Sequence, residues 1–153
     1  MTRLHPVETQ TPVGICGVPV YPGDVIVADS TAGINKVFRI SSSGTATAIA
    51  GNGAITKEDA VFSAGPALNV PLLQPRAVEV DSTGRVLIAD TGHARVIRVE
   101  ANGNAGLVQQ FAFGAQSLNP YPSGLAVIGN NVYVALGNLQ TIVRVAASAT
   151  TVA

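Results

Sequence analysis

One pattern recurs three times along this 153-residue chain, and it limits the fold more than any other feature. The second copy is the fullest: 75–81 (PRAVEVD), 85–90 (RVLIAD), 95–99 (RVIRV) and a weaker 105–109 (AGLVQ). The first copy reads 12–16 (PVGIC), 24–29 (DVIVAD), 36–40 (KVFRI) and 45–50 (TATAIA). The third reads 122–128 (PSGLAVI), 131–136 (NVYVAL), 142–145 (IVRV) and 149–153 (ATTVA). Arg39, Arg98 and Arg144 mark the same place in each copy. Every run is short, rich in Val, Ile and Thr, and bounded by Gly, Asn, Asp or Ser, which predicts strands. The stretches 41–44 (SSSG), 81–84 (DSTG), 101–104 (ANGN) and 129–131 (GNN) carry turn chemistry: Gly and Asn accept positive φ, and Asp and Ser bond the turn backbone. No segment shows an apolar stripe at helical spacing. Residues 57–69 come nearest, and Gly65 and Pro66 interrupt them.

The strands are too apolar for a sheet with one wet face. Residues 25–28 (VIVA) and 86–89 (VLIA) lack clean alternation, as strands buried on both faces do. Four such strands per copy, with the marking arginines 59 and 46 residues apart and the shorter spacing near the ~40–45 residues of a propeller blade, predict an all-β chain of three four-stranded antiparallel blades, half a β-propeller. The expected divisions are an N-terminal extension (1–11), a first blade (12–53), an inter-blade connection (54–74), a second blade with its connection (75–121) and a third blade (122–153). The stretch from Gly51 to Gln74 is long for a structureless loop, so it is expected to be packed or functional.

The second copy resembles an NHL repeat over its whole length. That family's pattern is a Pro-led Val-Ala-Val-Asp strand, a Gly turn, a Val/Ile-Ala-Asp-Thr-Gly-Asn segment, then a basic residue and Ile/Val-Arg-Val. Here 75–81, Gly84, 88–93 (IADTGH) and 95–99 follow it closely. Residues 50–53 (AGNG), 65–69 (GPALN) and 73–75 (LQP) resemble the stretch that joins blades in bacterial members. His93 and Ala94 depart from the family's Asn-His, the first copy carries a longer hairpin at 30–35, and the third has Leu136 where the others have Asp29 and Asp90. The resemblance implies six-bladed rings, of which three blades are half.

Read for chemistry, the chain offers little. Formal net charge is zero and charged residues make up 12%, against about 25% in ordinary globular chains, so no bulk field draws nucleic acid or anionic membrane. Residues 1–10, polar and carrying Pro6, are not expected to act as a signal peptide, and no apolar run reaches membrane length. Cys16 is alone and reads as a small buried hydrophobe. His5 is expected outside the blades and no zinc spacing appears, so no metal site and no cofactor are assigned; Asp24, Asp29, Asp81, Asp90 and Asn52 are the oxygens from which calcium would have to be held. No nucleophile elbow or phosphate loop occurs. Arg76, Arg85, Arg95 and Arg98 would give one small basic patch, too little, without clustered aromatics, for RNA.

The expected function is a non-enzymatic binding or assembly module whose loops present a recognition surface. Part of a propeller hydrolase or lyase is the alternative, and a structural subunit of a larger assembly the third reading. Any ligand is expected at one mouth of the axis, at Asn52, Asp29, Asp90, His93 and Arg76. Asp90 itself is expected to fix its turn by accepting backbone N–H bonds, a role contributing about 0.5–2 kcal/mol. An open half-ring exposes two apolar blade faces, so the expected partner is a second copy closing a six-bladed ring, or another protein subunit.

Overall fold

This computed structural model describes residues 4–6, 13–15 and 18–20 as strand backbone, and residues 23–113 and 119–146 throughout. The first sheet has the order β1 (Leu4–Pro6), β4 (Val25–Asp29), β5 (Lys36–Ile40) and β6 (Ala46–Ala50). The second runs β8 (Pro75–Val80), β9 (Val86–Asp90), β10 (Arg95–Val99) and β11 (Asn104–Gln110), with the two-residue β7 (Gly65–Pro66) added at the β11 edge. The third holds β12 (Pro122–Ile128), β13 (Asn131–Leu136) and β14 (Thr141–Ala146). Its expected fourth strand at 149–153 lies outside the described residues, as does Cys16. All pairings are antiparallel.

The first blade departs from the sequence reading. Its opening strand is β1, so His5 falls within the sheet, opposite Ile26. The segment expected there pairs instead with its neighbour: β2 (Val13–Ile15) and β3 (Val18–Val20) form a hairpin of their own. A partner a few residues away closes a far smaller loop than β4 would, and the apolar triplets on either side of Cys16 match each other as well as they match β4.

Alternation explains how the sheets stack. Side chains of successive strand residues point to opposite faces. In the middle blade both faces are buried: every residue of β9 and β10 is buried. Val78, Val86, Ile88, Ile97 and Val99 pack toward the first blade, against Ile26, Ala28, Val37 and Ile49. Ala77, Leu87, Ala89 and Val96 pack toward the third, against Leu125, Val132, Val134 and Leu136. The flanking blades bury one face each, which gives β4 and β13 their strict alternation of buried and half-buried residues. β8 lies against β12 on one side and against β4 and β1 on the other, so the leading strands of the blades gather at one edge, as around a propeller axis. The chain is an all-β, propeller-type structure of three blades.

The copies also share backbone detail. Asn35, Ala94 and Gln140, each just before the third strand of its blade, all adopt a left-handed conformation, with φ of 42°, 49° and 51°. A ladder irregularity near the start of β8, between Pro75 and Ala77, recurs at Pro122–Gly124 in β12.

Candidate functional site

Strand register sorts the turns onto two rims. Pro75, Asp90, Arg95 and Gln110 end up level with one another across the second sheet. Asp29 and Lys36 are level in the first, beside the end of β6. The Gln74 N–H donates to Asn35 Oδ1 at 3.0 Å, which ties the two levels together as one rim. Asp29, Asn52, Arg76, Asp90 and His93 all belong to it. Asp24 and Asp81 sit at the opposite rim, where Asp24 accepts from the Ser42 N–H and Asp81 from the Thr83 N–H. The five oxygen donors weighed for calcium are thus split between two rims, and among the described residues no group of three His, Cys, Asp or Glu converges to hold a metal.

Asp90 is the centre of the loop-bearing rim. Its side chain is fully buried, a state a carboxylate tolerates only with its lone pairs occupied. Oδ1 accepts from the Leu73 N–H at 2.7 Å, and Oδ2 accepts from Arg95 Nε at 2.8 Å and from His93 Nδ1 at 2.7 Å. With its proton on Nδ1, the imidazole offers Nε2 to the Thr56 hydroxyl at 2.8 Å. Arg95, also buried, spends its remaining donors on the carbonyls of Pro71 (3.0 Å) and Ala60 (3.3 Å), and its guanidinium carbon lies 5.3 Å from the centre of the Phe62 ring. No buried side-chain nitrogen or oxygen among the described residues is left without a partner.

Asp90 does not fix its own turn, as the sequence suggested. The following 3₁₀ turn, Thr91–His93, receives no side-chain cap from it. Asp29, in the longer hairpin of the first blade, does make that local bond, accepting from the Thr31 N–H at 2.9 Å. The difference lies in Leu73 and Arg95: the connection passes close enough to offer a buried N–H, and the cation across the ladder is a buried arginine whose Nε bonds the carboxylate, where Lys36 stands opposite Asp29. At the third blade Leu136 replaces the carboxylate and joins the apolar core.

The other expected site residues are placed as follows. Asn52 is exposed and fastens the connection to itself, accepting from the Ala54 N–H at 2.9 Å and donating to the Asn69 carbonyl at 3.1 Å. Arg76 is exposed at the strand irregularity of β8, where a displaced residue is re-aimed. The basic patch of the second blade does not form: Arg95 is buried, Arg98 bonds Glu100 at 2.6 Å, and Arg85 pairs with Asp81 at 2.7 Å on the far rim. Of the repeat-marking arginines, Arg39 pairs with Asp24 at 2.8 Å, while Arg144 is exposed.

Sequence reasoning missed Thr56, Phe62, Phe111 and Phe113. The last three, of the four phenylalanines in the chain, line one cavity of about 350 Å³ where the end of β11 meets residues 58–62. Leu107, Val61, Glu58 and Asp59 complete most of its wall. It opens at the outer edge of the blade, with β8 at the opposite edge of the same sheet. The missed signal was local: phenylalanine occurs at 62, 111 and 113, all in connections where no repeat position called for it.

No protein-family model and no curated protein matches the chain. Among solved structures, a structural-genomics protein of unknown function from Bacteroides thetaiotaomicron superposes with a TM-score of 0.66 at 17% identity, over 81% of this chain and 32% of that one. Virginiamycin B lyase from Staphylococcus aureus superposes with a TM-score of 0.46 at 14% identity, over 94% of this chain and 44% of that one. The chain therefore spans about a third and under half of the lengths of these two. The first likeness carries the fold alone, and it agrees with the propeller-type stacking of the three sheets.

Proposed function

We propose that this chain is a non-enzymatic assembly module of NHL-like character, whose two outer blade faces seat further blades of the same kind and whose loop-bearing rim serves recognition. The observation that carries the reading is an equivalence of faces. Val25, Val27, Phe38 and Ile40 on the outer face of the first blade correspond by position to Val86, Ile88, Ile97 and Val99 of the second, which are buried against the first blade. They also correspond to Val132, Val134, Val143 and Val145 of the third, which pack toward the second. On the first blade the same set is half-buried, around an apolar depression of about 380 Å³ lined by Val27, Phe38, Ile40 and Ala46. The outer face of the third blade bears Tyr133, Ala135, Ile142 and Arg144, which match Leu87, Ala89, Val96 and Arg98 buried in the second. Ile142 is 72% exposed, and Ile128, at the far end of the same sheet, 67%. Each open face is thus one half of a packing scheme that the chain already uses twice. A second copy supplies both missing halves, and six blades would close.

The relay Thr56–His93–Asp90 has the connectivity of a nucleophile, base and carboxylate, but its chemistry argues for structure. Arg95 takes the same carboxylate oxygen as His93, and its Nη2 stands 3.2 Å from Nδ1. The carboxylate is thus shared with a guanidinium, not reserved for the imidazole as in a catalytic triad. An Ile142→Asp variant tests the assembly reading by size-exclusion chromatography. It should elute as a smaller species than the unmodified chain while keeping its β-sheet circular dichroism; identical elution would argue against assembly through this face.

A further inference from the structure

The cavity at the end of β11 lies away from the axial edge, and although Phe62, Leu107 and Phe111 of its wall also pack against the inter-blade cores, it has the size and lining of a ligand site. At about 350 Å³ it falls within the range of small-molecule pockets, roughly 300–1,000 Å³. Its floor and walls are aromatic and aliphatic: Phe62, Phe111, Phe113, Leu107 and Val61. Among the described residues the charged side chains that line it, Glu58 and Asp59, are both carboxylates, and no lysine, arginine or histidine lines it. Glu58 is held at the rim, where its Oε2 accepts from the Tyr121 hydroxyl at 3.2 Å. The neighbouring cation, Arg95, is already matched by Asp90 and covered, so it does not offset the carboxylates at the mouth.

We infer that this cavity binds a small organic cation with an aromatic or branched alkyl body, the ammonium group set between the Phe111 and Phe113 rings and the carboxylates of Glu58 and Asp59, since the Phe62 ring already carries the Arg95 guanidinium. Aromatic faces attract cations through their quadrupole, and two carboxylates at the opening favour positive over neutral or negative guests. An anion would meet like charge, and a neutral hydrocarbon would leave the acidic rim unused. The site is complete within one chain, so it does not depend on ring closure.

Titration of the whole chain by calorimetry and by protein NMR with benzyltrimethylammonium tests this, with benzyl alcohol and benzoate as the neutral and anionic counterparts of the same aromatic body. The cation should saturate one site, with benzyl alcohol about tenfold weaker and benzoate showing no saturable binding. Glu58→Gln combined with Asp59→Asn keeps the shape and removes the charge, and should weaken the cation about fivefold or more without altering its neutral counterpart. Phe113→Ala, at the cavity edge, should weaken both aromatic guests while the fold is retained. Absence of saturable cation binding to folded protein at millimolar concentration would overturn the inference. So would equal affinity for benzyl alcohol, or a charge-neutral double variant that binds the cation as tightly as the unmodified chain.

Discussion

Asp29 and Asp90 occupy the same position in two copies of one repeat and do different work. Asp29 bonds its own turn; Asp90 neutralises a buried Arg95 and holds the connection through Leu73. Removing one member of a buried ion pair costs far more than removing a turn bond, because the partner is left charged and dry. Asp90→Ala should therefore lower unfolding free energy by about 3–5 kcal/mol, against under about 1 kcal/mol for Asp29→Ala, as read from urea midpoints. Equal effects would contradict the burial argument. The sequence singled out Asp90 but understated it, since an Asp before Thr-Gly is a turn signal in any chain. What could have been read is the pairing across the ladder, because Arg95 stands opposite Asp90 in register.

Asp81, on the other rim, is the residue whose titration should be felt. Burial works to raise its pKa. Hydrogen bonds from the Thr83 side chain, the Arg85 side chain and the two backbone N–H groups outweigh it, and the carboxyl is held below its ordinary value. A carboxyl lowered in the folded state stabilises the fold above its unfolded pKa of about 3.9 and loses that contribution as pH falls through the folded value. Stability should thus decline as pH falls below about 4, and Asp81→Asn should be less stable at neutral pH with a flatter acid limb. An unchanged acid limb in the variant would remove Asp81 from this account.

Among the elements, the connection between the first two blades carries the most information. Residues 51–74 are packed: Ala67, Val70 and Leu72 join the core between the blades, and Gly65–Pro66 adds an edge strand to the second sheet. The start of the connection is tightly set, for Gly51 has φ +92° and a Cβ there would lie 2.4 Å from the Asn35 carbonyl oxygen. Gly51→Ala should lower stability by at least about 1–3 kcal/mol, from backbone strain with the clash added, measured by thermal unfolding; no loss would mean that the first turn of the connection can shift freely. The strands of the repeat were legible because Val-Ile-Ala runs between turn residues have few other folds open to them. The first strand of the first blade was not, because Pro12–Cys16 fits a hairpin as well as a ladder and only pairing decides. The aromatic cavity was not legible either: its walls come from two connections that meet only once the second sheet has formed.

Across the whole molecule the middle blade is the template. Both of its faces are covered, and each flanking blade has one covered face and one outer face of matching positions, half-buried on the first blade and exposed at Ile128 and Ile142 on the third. Large apolar faces of this kind are costly to leave in water, so the chain should not be monomeric at working concentration. Sedimentation equilibrium on the purified chain tests this most directly. The account predicts a stable species of at least twice the 15.5 kDa chain mass, with a discrete dimer as the form that closes six blades. A well-folded monomer of 15.5 kDa that persists to high concentration would contradict it.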